Sequence, residues 1–236
     1  MEGNNSMNGQ SIIGQISDNI LQGRFNAQCQ APETVSNCML GVSELISLSM
    51  EKNIPPPLIS TDALDKTMDD IINRFENEEY TIIELVARAN LTGNARKILA
   101  DYVEDPDTLC KGKILLATVE GEYHRHGKDI VGALSRGIGF NTIDLGLEVP
   151  INEIADAVKK HDPDFLGISA SMRSTIPELE KINDMLNQRN CREDIKVILG
   201  GYLAVDETAN TIDVSFRCRN ISQTLELLLH LTGLTN

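Results

Sequence analysis

KILLATVEGEYHRHG, residues 113–127, holds the fold in miniature. Lys113 to Val119 is an apolar run too short for a helix, and it reads as a strand buried on both faces. Gly121 and Gly127 then bracket a polar loop, and the Lys128-Asp129-Ile130-Val131 that follows belongs to a helix of about 127–138. The rhythm repeats downstream. Strands are expected at Thr142–Leu145, Phe165–Ala170, Lys196–Leu199 and, more weakly, Asp213–Arg217, with helices near 151–161, 175–190 and 221–232. Uninterrupted apolar strands joined by helical crossovers predict an α/β doubly wound, Rossmann-like domain built on a parallel five-stranded sheet. In such sheets ligands bind beyond the carboxyl ends of the strands, so the residues just after each strand carry the interest.

Upstream the apolar residues recur instead at spacings near three and four. Ile12, Ile13, Ile16 and Ile20 form one stripe, Leu64, Met68, Ile71, Ile72 and Phe75 a second, and Ile82, Ile83, Val86 and Ala89 a third. A further helix is expected over 34–52, ended by Lys52, Asn53 and the Pro55-Pro56-Pro57 break. Ser60, Thr61 and Asp62 then offer caps for the next helix. Four helices with short connections predict an N-terminal all-α four-helix bundle. Glu104-Asp105-Pro106-Asp107 reads as the link, which divides the chain into a helical domain, 1–105, and the α/β domain, 106–236.

The balance of charge excludes some partners. With 35 acidic against 21 basic residues the net charge is -14, so the field repels nucleic acid and anionic lipid. Five cysteines (Cys29, Cys38, Cys110, Cys191, Cys218) lack any CxxC pair and are odd in number, which points to reduced thiols in a cytoplasm. No signal-like opening and no apolar run near the roughly 18 residues of a membrane span are visible, so a soluble protein is expected.

The loop after the first strand lacks GxGxxG, and so is not a dinucleotide cradle. What it offers is Glu122 two residues before His124, a carboxylate placed to orient a metal-binding imidazole. Taken alone, the loop equally fits a surface histidine hydrogen-bonded to Glu122. His124 and His126 also fit half of a zinc site, although no Cys or carboxylate cluster completes four ligands. Gly200-Gly201 alone is a tight turn, Ser169 alone a buried hydroxyl, and Glu76, Glu78 and Glu79 a solvated helical face.

Together these positions resemble the cobalamin-binding domain shared by methionine synthase and the corrinoid proteins of anaerobic methyltransferase systems. The family pattern of Asp-x-His-x-x-Gly, a later Ser-x-Leu and a still later Gly-Gly is matched by Glu122-x-His124-x-x-Gly127, Ser169-Ala170-Ser171 and Gly200-Gly201. The segments Leu116–Gly121, Asp144-Leu145-Gly146 and Val149-Pro150 agree with it, as does the helical region from Phe75 to Ala89. Glu122 replaces the usual Asp and Ser171 the usual Leu. Arg125 and His126 replace an acidic and an aliphatic residue, which makes a more basic loop surface expected.

The resemblance implies cobalamin bound with its nucleotide base off the cobalt and His124 as the metal ligand. Glu122 and the hydroxyl of Thr175 would complete a ligand triad whose protonation favours the reduced cob(I)alamin over methylcobalamin. Ser169, Gly200 and Gly201 would form the channel for the nucleotide tail. Gly121, Tyr123, Arg125, Gly127, Ser171, Arg173, Asn220 and Ile221 are implied as further cofactor contacts, and the bundle as a cover for the upper corrin face. The implied role is a methyl carrier between a substrate-specific methyltransferase and an acceptor methyltransferase using tetrahydrofolate or a thiol, serviced by a reductive activase. Methylamines, methanol and aryl methyl ethers are the donor classes of such systems. A corrinoid-dependent regulator acting through protein partners and the small subunit of a cobalamin-dependent mutase are the rival roles.

Overall fold

A computed structural model describes residues 9–26, 28–29, 38–191 and 195–232. They fall into two compact units, residues 1–109 with 136–139, and residues 110–135 with 140–236.

In the first unit the stripes become four helical rods among the described residues. These are α1 (Gly9–Leu21), α2 (Val42–Glu51), a continuous rod from α3 (Pro56–Ile59) to α4 (Lys66–Glu76), and α5 (Ile82–Ala100). Ile12, Ile16 and Ile20, Leu45 and Ile46, Leu64, Met68 and Ile71, and Leu85 and Leu99 fill the core between them. A two-residue antiparallel pair, β1 (Gln28–Cys29) with β2 (Cys38–Met39), precedes α2.

Four expectations are corrected here. The helix expected from 34 begins at Val42; its residues 34–37 lie outside the described residues, and Cys38 and Met39 are extended. It starts where the Glu44 carboxylate turns back to accept from the Gly41 amide at 3.0 Å. Pro55 to Pro57 do more than end a helix, since Pro56 and Pro57 open the next one, where a missing N–H costs nothing. Ser60 to Asp65 cap nothing: they form one wide, π-helical turn inside the rod, held by Arg96, which pairs with Asp65 and donates to the Ser60 hydroxyl at 3.1 Å. In α5 the buried stripe is Leu85, Ala89, Thr92 and Leu99, whereas Ile83 faces solvent with 77% of its surface exposed.

The second unit is the expected parallel sheet. Its strands are β3 (Lys113–Ala117), β4 (Asn141–Asp144), β5 (Phe165–Ser169), β6 (Lys196–Gly200) and β7 (Phe216–Arg217), in the order β4-β3-β5-β6-β7, all parallel. The crossovers are α6 (His126–Ile138), α7 (Ile151–His161), the short α8 (Ile176–Leu179) with α9 (Ile182–Gln188), and the closing helix is α10 (Ile221–Leu231). One core face packs Leu115, Ala117, Leu166, Val197 and Leu199 against Ile154, Val158, Ile182 and Leu186. Strand alternation sends Leu116, Gly167 and Ile198 to the opposite face, side by side in register.

The helix expected at 175–190 is interrupted. Pro177 starts α8, the Lys181 amide bonds back only three residues to Glu178, and the Asn183 side chain is drawn to the Asp213 carbonyl at 2.7 Å. The order reverses direction between β3 and β5. That is the switch point of a doubly wound sheet, where a crevice opens beyond the strand ends. No helix among the described residues is long and apolar enough to cross a membrane.

Candidate functional site

The loop after β3 and the loop after β5 meet at the switch point through one carboxylate. Glu122 is fully buried. Its Oε1 accepts from the His124 amide at 3.0 Å and from the His124 ring at Nδ1, 2.6 Å away, while Oε2 accepts from the amides of Ser171 and of Met172, the latter at 2.9 Å. Burial pushes this carboxyl up, but the amides of Ser171, His124 and Met172, with the His124 ring, outweigh it and hold it below the usual range. A carboxylate only accepts, so the ring proton sits on Nδ1 and the Nε2 lone pair is left available. The His124 side chain is 65% exposed, so that lone pair can be reached from solvent.

The sequence around Glu122 builds this turn. Thr118, buried at the end of the strand, donates to the Glu122 carbonyl at 3.0 Å and accepts from the Glu148 amide at 2.9 Å, tying the β3 and β4 loops together. Gly121 takes φ +84°, which a side chain would strain. The Thr175 hydroxyl does not reach Glu122: it donates to the Met172 carbonyl at 2.7 Å, steadying the turn that presents the Met172 amide. The expected triad is therefore a pair, with two backbone amides where the hydroxyl was drawn. The added methylene of Glu122 is accommodated, because its carboxylate spans from one loop to the other.

Beside this pair, on the sheet face bearing Leu116, Gly167 and Ile198, lies a cavity of about 230 Å3. Six of the expected contacts line it: Gly127, Ser169, Gly200, Gly201, Asn220 and Ile221. The glycines divide the work differently than expected. A Cβ on Gly200 would meet nothing nearer than 3.9 Å and would project into the open, so this position keeps the cavity clear. Gly201 instead answers to the backbone, with φ +84° and the Ala170 carbonyl 2.4 Å from where its Cβ would be. Gly201→Ala is therefore expected to destabilise the fold by about 2–4 kcal/mol, read as a lower denaturation midpoint, from left-handed strain plus the clash.

Gly167, unmarked by the sequence reading, makes the cavity possible. It stands in the central strand between Leu116 and Ile198, and a Cβ there would lie 2.6 Å from the Leu116 side chain. A glycine inside a strand was the available signal. Lys128 was also missed. It is 4% exposed, lines the cavity, and its ammonium is held 2.6 Å from Asp144 Oδ1 at the end of β4.

Other expected contacts lie elsewhere. Arg173 does not line the cavity; it pairs with Asp206 at 2.6 Å, and its guanidinium, with the Thr208 amide and hydroxyl, pushes the Asp206 carboxyl down to about 2. Ser171 contributes its amide to Glu122 and its hydroxyl to the Tyr202 amide at 3.3 Å. Arg125 pairs with Asp129 at 2.8 Å, so the more basic loop surface is locally compensated. Tyr123, Leu147, Tyr202 and Val205 are exposed in the loops after β3, β4 and β6, on the strand-end side that also carries His124. An apolar rim beside the His124 ring, whose Nε2 lone pair is open to a metal, suits a flat macrocycle with a metal at its centre.

Comparison with known proteins agrees with this geometry. A B12 binding domain model matches residues 112–218. The chain is 30% identical over 149 residues to a dimethylamine corrinoid protein of Methanosarcina acetivorans, covering 61% of this chain and 69% of that one. The chain belongs to the corrinoid protein family. A trimethylamine corrinoid protein of Methanosarcina barkeri is 26% identical over 171 residues, covering 72% of this corrinoid protein and 79% of the relative. In fold it is similar to a chain of a methanol:cobalamin methyltransferase complex from Methanosarcina barkeri, with a TM-score of 0.67, 22% identity, and coverage of 92% and 84% of the two chains.

Proposed function

We propose that this corrinoid protein is a methyl carrier that binds cobalamin with the nucleotide base off the metal and His124 in its place. The observation that carries the reading is the exposed His124 ring, fixed through Nδ1 by the buried Glu122 beside a glycine-walled cavity. Bound cobalamin supplies a cobalt centre that accepts a methyl group and hands it on. His124 would hold that cobalt through Nε2. Glu122 fixes the tautomer and the orientation of the ring, and the amides of Ser171 and Met172 hold Glu122 in place. The cavity takes the nucleotide tail. Pockets for whole drug-sized ligands span roughly 300–1,000 Å3, so about 230 Å3 suits a base rather than a corrin ring.

The chain carries the cofactor and leaves substrate activation to partners, one methyltransferase loading the cobalt and a second, using tetrahydrofolate or a thiol, unloading it, with a reductive activase restoring the lowest oxidation state. The names of its relatives put methylamines first among donors to test; methanol and aryl methyl ethers, the other donor classes of such systems, follow.

Reduced, cofactor-loaded protein is expected to take up methyl from a donor panel only when a cognate methyltransferase is added, followed by the cobalt spectrum. Efficient methylation by the chain alone would make it an enzyme in its own right. Cofactor binding without methyl uptake under any pairing would favour the regulator. Gly200→Leu should abolish tail binding, lowering cobalamin affinity at least about tenfold, while barely changing stability, because its side chain enters open space.

A further inference from the structure

We propose that the tail cavity selects the lower base of the corrinoid, taking benzimidazole-type bases and discriminating against adenine-type ones. The inference rests on the cavity being the tail site, as proposed above.

Most polar side chains in the wall already have protein partners. Lys128 is neutralised by Asp144 at 2.6 Å. The Asn220 side chain caps α10, accepting from the Gln223 amide at 2.9 Å, and Thr224 donates to the Asn220 carbonyl at 3.0 Å. The Cys218 thiol is buried and hydrogen-bonded to Thr224. Arg219 is exposed and can only donate. The remaining surface is largely hydrocarbon, from Leu116, Ile130, Val131, Ile168, Ile198 and Ile221.

One side chain stands apart. Among the described residues no group hydrogen-bonds to the Ser169 hydroxyl, and Gly127, whose Cβ would lie 3.0 Å from that oxygen, leaves it room. A benzimidazole linked to its sugar keeps a single free ring nitrogen, an acceptor, which one hydroxyl satisfies. Its benzo edge, with or without methyl groups, meets apolar wall. Adenine is also bicyclic, so size does not separate the two. Polarity does: adenine brings an exocyclic amine and two more ring nitrogens into a wall that offers them little, and buried polar groups left without partners weaken binding.

The test uses the intact chain and three corrinoids: cobalamin, its adenine-based analogue, and cobinamide, which lacks a tail. All are titrated as cobalt(I), which holds no axial base, so that the differing strength of the base-to-cobalt bond drops out. Cobalamin is expected to bind on the order of 10- to 100-fold more tightly than the adenine form. Cobinamide is expected to be weaker than cobalamin. Equal affinity for the two tailed forms, both above cobinamide, would overturn the selectivity and leave the carrier reading standing. Cobinamide binding as well as cobalamin would show that the cavity does not hold the base, overturning the proposal. Failure of all three to bind would remove the carrier reading itself.

Discussion

His124→Ala is expected to erase the histidine nitrogen coupling from the electron paramagnetic resonance spectrum of the cobalt(II) form, while leaving the fold intact. Labelling histidine with 15N identifies the coupled nitrogen as the ring's rather than the nucleotide's. The ring is 65% exposed, so its loss opens no cavity and stability should stay within about 0.5 kcal/mol of the parent. The Glu122 carboxylate keeps three donors, the amides of His124, Ser171 and Met172. Because the tail cavity is untouched, the cofactor should still bind, at least about tenfold more weakly, as is usual when a metal site loses an important contact. A variant with an unchanged spectrum would move the cobalt ligand elsewhere.

Glu122→Gln should instead damage the apo protein. The carboxylate is fully buried and all four of its hydrogen bonds come from donors. An amide must turn its NH2 toward one pair of them, the His124 side or the Ser171 and Met172 side. Either way, buried N–H groups face another donor, at about 1–3 kcal/mol for each group left unsatisfied. The expected loss is about 2–4 kcal/mol in unfolding free energy, measured as a lower urea midpoint at unchanged slope. A glutamine variant as stable as the parent would mean that the carboxylate does not bridge the two loops. The variant should also lose control of the His124 tautomer, weakening cobalt ligation in the same spectroscopic assay.

The strands and their order of appearance were legible because burial on both faces leaves an apolar run that nothing else in a soluble chain produces. Phe165 to Ser169 and Lys196 to Gly200 fall within a residue of expectation. The broken helix at 175–190 was not, since the Asn183 contact to Asp213 spans 30 residues and leaves no periodic trace. Ile83 failed for a related reason. Stripe counting runs back from Ala89 either through Val86, Ile83 and Ile82 or through Leu85, and only the neighbouring helices choose between them.

For the site, sequence by itself determined which residues gather: Glu122, His124, Ser169 and Gly200 stand at strand ends, where a parallel sheet brings its loops together whatever the details. Tertiary structure alone decided what each does. The same acid could have been steadied by Thr175, but the backbone turn after β5 brings two amides nearer than the hydroxyl. Gly200 and Gly201 look alike in a string of letters, and only φ and the distance to Ala170 separate the one that clears a cavity from the one that permits a turn. Gly167 became visible when Leu116 and Ile198 were found beside it in register. Spacing along a chain fixes which residues share a strand end. Hydrogen-bond partners and empty space depend on atoms from distant segments, and those are settled by packing.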